Sequence, residues 1–92
     1  MTSRETKKKK TQKISENFVQ ENFLILHNDE VHSFDYVIDA LIEICEHGYE
    51  QATQCTLITH YKGKCDVKKG GFEALKPLKN ALNERKLTAT ID

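Results

Sequence analysis

Four consecutive residues, His27-Asn28-Asp29-Glu30, bring an imidazole, an amide and two carboxylates together directly behind the apolar run Phe23-Leu24-Ile25-Leu26. Such a run reads as a strand, and the polar residues as the loop it enters. Side chains of these types accept hydrogen bonds, so if they converge they suit a ligand rich in N–H donors. Loops held on a rigid scaffold commonly carry binding function, although this one read alone is also a solvated turn with an Asx cap. His60 adds an imidazole downstream; a lone histidine on a helix is more often a packed or surface residue than a ligand. His27 and His32 have the H-x4-H spacing of some zinc sites, yet no CxxC accompanies them. No metal site and no cofactor are expected.

Cys45, Cys55 and Cys65 are the other candidates for chemistry. An enzyme would use one of them as nucleophile with His60 as base, which requires the two to meet. Cys55 stands five residues before His60, so on one helix they point in different directions. The odd number, without CxxC spacing or the density of a secreted scaffold, fits thiols that fill a core in a reducing cytosol. A catalytic role is not expected.

These residues need elements to position them. Ser33 is placed to N-cap a helix in which Phe34, Val37, Ile38, Leu41, Ile42 and Cys45 recur at helical spacing, with Gly48 as its stop. Tyr49, Ala52, Thr53, Thr56, Leu57 and His60 give a second helix, ended by Gly63 in a left-handed conformation. Lys64 to Lys68 alternates, with Cys65 and Val67 on one side, as a half-buried strand does. A third helix carries Leu75, Leu78 and Leu82 and is expected to start near Glu73, since Pro77 is best tolerated in a first turn. Leu87, Ala89 and Ile91 alternate with Thr88, Thr90 and Asp92 as a last strand. The order β-α-α-β-α-β predicts a small single α+β domain with a three-stranded antiparallel sheet packed against helices.

The chain has 92 residues, room for one domain with one site near its surface. Residues 1–21, rich in Lys, Thr, Gln and Ser, read as a flexible basic tail ahead of a domain over residues 22–92. A formal net charge of +0 hides a segregation: Lys7 to Lys10 and Lys13 precede Asn22, whereas from Asn22 to Tyr61 there are acidic residues and no Lys or Arg. That half of the domain favours a cationic partner. The lysine run reads as a solvated tail and not as a nucleic-acid site, because the folded part has no interleaved aromatic and basic surface. No stretch nears the roughly 20 apolar residues that span a bilayer, so a soluble, cytoplasmic protein without a membrane partner is expected.

The strand Phe23 to Leu26, the loop Asn28-Asp29-Glu30, the helix Phe34 to Cys45, and Ala52-Thr53-Gln54 leading to His60-Tyr61-Lys62-Gly63 together resemble ClpS, the Clp protease adaptor family. The resemblance is close from about Phe23 to Lys64 and weaker beyond, where the segment before the last strand is shortened. It implies a non-enzymatic adaptor that recognises N-degrons, binding the free α-amino group and bulky hydrophobic first side chain of substrates. It also implies a Clp-family AAA+ unfoldase as partner, docked near Lys76 and assisted by the tail. Asn28, Asp29, Glu30 and His60 would hold the amine, some of them through water. Leu26, His32, Phe34, Val37, Thr56, Thr59 and Leu87 would line the side-chain pocket. The sequence departs from the family at Glu30, where Asp is common, at His32-Ser33-Phe34, where Thr-Pro-Met is common, and at Thr56, where Met is common. The alternative is a ClpS-like interaction domain that no longer binds N-degrons.

Overall fold

A computed structural model describes residues 21–92; the tail expected over residues 1–21 lies, but for its last residue, outside them. The elements are β1 (Asn22–His27), α1 (Phe34–Cys45), α2 (Tyr49–Lys62), β2 (Lys64–Gly70), α3 (Phe72–Glu84) and β3 (Thr88–Ile91). This is the β-α-α-β-α-β order that the periodicities predict.

The strands form one antiparallel sheet in the order β2-β1-β3, so the apolar run occupies the centre. Alternation sends Leu24 and Leu26 into the core, where Ile38, Leu41 and Cys45 of α1, Val67 of β2 and Leu75 and Leu82 of α3 meet them. Pairing of β1 with β2 shifts between Leu24 and Ile25, opposite Lys68 and Asp66 respectively. Val67 is thereby the extra residue of a bulge, and its carbonyl is taken by Nε2 of His47 at 2.6 Å.

Ser33 caps α1 as its residue type predicts, Oγ accepting from the Tyr36 amide at 3.1 Å. The other end departs from expectation. Helix α1 stops at Cys45 with Glu46 in the left-handed conformation (φ 61°), and Gly48 starts α2 instead, its carbonyl accepting from the Ala52 amide. The reason is His47, which is buried and tied to β2, so the chain must turn before the glycine arrives. Gly63 does end α2, with φ 95°. Helix α3 begins at Phe72, close to the expected Glu73, and Pro77 falls in its second turn and not the first. Pro77 and Glu73 are exposed there, so water can reach the Glu73 carbonyl that lacks a partner.

The buried face of α2 consists of Ala52, Thr56 and Thr59. Thr56 and Thr59 form part of the wall of a cavity.

Candidate functional site

The end of β1 and the end of α2 are joined by one bond, from the Asn28 amide to the Gly63 carbonyl at 2.9 Å. It holds the 28–33 loop beside the last turn of α2, so residues 32 positions apart in sequence, Asn28 and His60, face the same cavity. The cavity, about 30 Å³ in volume, is lined by Leu26, His27, Asn28, Asp29, His32, Phe34, Val37, Thr56, Thr59, His60 and Leu87.

Every residue that the resemblance marks for the site is therefore brought to one place, except Glu30. Glu30 is exposed and accepts a hydrogen bond from Nδ2 of Asn28 at 3.3 Å. This contact turns the Asn28 amide so that Oδ1 is left to accept from something else. His27 is the residue that sequence reasoning did not place in the wall. Its Nε2 pairs with Oγ1 of Thr90 at 2.8 Å, and its position directly before Asn28 was the available signal.

Asp29 organises the loop from within. Its Oδ1 accepts from the amides of Val31 at 2.9 Å and His32 at 3.1 Å, and Nδ1 of His32 lies 3.2 Å from Oδ1 and 3.1 Å from Oδ2. Burial pushes the carboxyl up, but the two amides and the imidazole together outweigh it and hold Asp29 below the ordinary value of 3.8. The mouth thus carries a fixed negative charge at neutral pH. A carboxylate can only accept, so it fixes the proton of neutral His32 on Nδ1.

The wall mixes apolar and polar side chains. Leu26, Val37 and Leu87 contribute hydrocarbon, while the Thr56 and Thr59 hydroxyls donate to the carbonyls of Ala52 and Cys55, each at 2.8 Å. Three aromatic contacts shape the rim: His32 stacks on Tyr36 at 4.7 Å between centroids, and His60 meets the edges of Phe34 at 5.2 Å and Tyr61 at 4.8 Å.

The thiols lack the features of a nucleophile. Burial pushes Cys45 up to about 11 and Cys65 up to about 12, and raises Cys55 as well. Among the described residues no group of three or more His, Cys, Asp or Glu side chains is arranged to hold a metal ion. No helix among them is long and apolar enough to cross a membrane.

One loop and one helix end of this α+β domain thus frame a small cavity with a carboxylate in its wall. The family described as ATP-dependent Clp protease adaptor protein ClpS matches residues 19–90. The chain belongs to this ClpS family, whose members are adaptors. Its fold is similar to that of Agrobacterium tumefaciens ClpS2 bound to L-phenylalaninamide, with a TM-score of 0.74 and 15% identity over 79% of this chain and 95% of that one.

Proposed function

We propose that the chain is an N-degron adaptor whose cavity receives the first residue of a substrate and whose bound substrates pass to a Clp-family AAA+ unfoldase in the cytoplasm. The observation that carries this reading is the convergence of Asn28, Asp29 and His60 on one cavity that Leu26, Val37 and Leu87 also line. An α-ammonium offers three N–H donors and a positive charge, and an amide oxygen, a carboxylate and an imidazole nitrogen satisfy them. The bulky hydrophobic first side chain, Phe, Tyr, Trp or Leu, goes inward among Leu26, Val37, Thr56, Thr59 and Leu87, and Glu30 acts by orienting Asn28. L-Phenylalaninamide, the ligand of the Agrobacterium relative, has such a free amine beside such a side chain. Docking on the unfoldase falls to the third helix near Lys76.

A second reading, an interaction domain of the same family without N-degron binding, is favoured by the narrowness of the cavity. At about 30 Å³ it is far smaller than an engineered protein cavity of roughly 150 Å³ that binds benzene. Fluorescence anisotropy with peptides beginning in Phe or Leu, each beside an N-acetylated copy, separates the two. Binding abolished by acetylation and weakened by Asp29→Ala is the expected result; equal or absent binding of both copies rejects N-terminal recognition.

A further inference from the structure

His32 is a polar residue of the wall whose side chain is only 15% exposed, whereas His60 is exposed. The ring is held from two directions, by the Asp29 carboxylate at Nδ1 and by the face of Tyr36, whose own hydroxyl is anchored on the Arg85 carbonyl at 2.8 Å. Because Nδ1 carries the proton, Nε2 of the neutral ring bears a lone pair. Nε2 has no hydrogen-bond partner among the described residues, and the buried unpartnered side-chain atom among them is Nδ1 of His47, not this one. Nε2 of His32 is therefore not sealed off, and His32 is one of the residues that line the cavity.

The other polar groups of the wall are committed differently. Nε2 of His27 is paired with Thr90, and the hydroxyl protons of Thr56 and Thr59 are directed into their own helix, which leaves only their oxygens to accept beside His32. Asn28 and His60 stand at the mouth, where the main chain of a substrate must leave the site. We infer that His32 is a specificity residue which accepts a hydrogen bond from the first side chain, so that the pocket selects tyrosine and tryptophan over phenylalanine and leucine. This inference rests on the N-degron reading of the cavity and adds the chemistry of the residue it takes. Without a donor, a bound ring leaves the Nε2 lone pair shielded from water and unpaired, and that difference is the discrimination.

The test compares peptides differing by one group: Tyr against Phe and against O-methyltyrosine, and Trp against 1-methyltryptophan, each with a free and an acetylated amine. Wild type is titrated beside His32→Phe, which keeps a ring on Tyr36 and removes the acceptor. Tyr is expected to bind wild type about 3- to 10-fold more tightly than Phe, with the ratio falling to near one in the variant. O-methylation and N-methylation are expected to abolish the advantage. Equal binding of Tyr and Phe by wild type, or a Tyr preference that survives His32→Phe, overturns the assignment. A uniform loss for every free-amine peptide with an unchanged Tyr-to-Phe ratio also overturns it and moves His32 to the amine. Failure of any free-amine peptide to bind wild type, or equal binding of acetylated copies, rejects the site reading and the role of His32 with it.

Discussion

The ring of Phe34 meets His60 edge-on, their centroids 5.2 Å apart and their planes 70° apart, across the mouth of the cavity. Phe34 is the first residue of α1 and is 41% exposed, so this contact is a main restraint on its ring. An aromatic pair of this kind contributes about 0.5–1.5 kcal/mol beyond its buried area, little enough for a ligand to displace. A wide first side chain must turn the ring aside and a narrow one need not. Phe34→Ala is therefore expected to raise affinity for Trp-initiated peptides relative to Leu-initiated ones by about 2- to 10-fold, the range equivalent to that contact. Anisotropy titrations of both peptides check it, and an unchanged Trp-to-Leu ratio removes Phe34 from the path.

The charge at the mouth depends on Asp29 remaining ionised. Its folded value is lowered, so its contribution to stability is present above the unfolded value and is lost as pH falls through the folded one. Carbon-13 NMR titration of the side-chain carboxyl is expected to give a midpoint below the ordinary 3.8. His32→Phe removes the imidazole hydrogen bond and charge and is expected to move that midpoint upward. A midpoint at or above the ordinary value would mean that burial prevails over the amides of Val31 and His32.

Much of this arrangement was legible in the sequence because local signals and tertiary demands agree. Ser33 caps a helix, Gly63 ends one, and Leu24 with Leu26 faces inward by simple alternation. Asn28, Asp29 and His60 could be grouped only through family resemblance. Nothing in their spacing shows that the Asn28 amide reaches the Gly63 carbonyl. What misled were positions where a side chain's tertiary anchor overrides local propensity. His47, tied to β2, moves the left-handed turn onto Glu46 and leaves Gly48 to begin α2. Pro77 is tolerated in the second turn of α3 because its side of the helix faces water, a fact that no local rule supplies. The Asn28 to Glu30 contact was equally hidden, since side chains two apart on a loop can converge or diverge.

The thiols give an ordered prediction. Cys45 and Cys65 are buried and pushed up to about 11 and about 12, while Cys55 is only partly buried. Alkylation requires the thiolate, so in the native protein at pH 8 Cys55 is expected to react with iodoacetamide first, and the other two at rates limited by opening of the fold. Peptide mass spectrometry of a time course reads the order. Early labelling of Cys65 would mean that β2 opens independently of the domain.

His47 offers the test of the fold apart from the site. Its Nε2 donates to the carbonyl of Val67, the bulged residue that has no partner of its own on β1. The Lys68 ammonium crosses in the opposite direction to the Cys45 carbonyl at 2.8 Å, so the turn between α1 and α2 is fastened to β2 twice. His47→Ala leaves the Val67 carbonyl unpaired and empties a buried volume, and the unmet carbonyl alone costs about 1–3 kcal/mol. His47 is not among the cavity residues. Urea denaturation is therefore expected to show a loss of at least that size, while the variant, studied well below its midpoint, keeps wild-type affinity for whichever peptide the protein binds. A stability change below about 0.5 kcal/mol, the range of ordinary surface substitutions, would mean that water or a neighbouring donor replaces the imidazole and that the bulge holds without it.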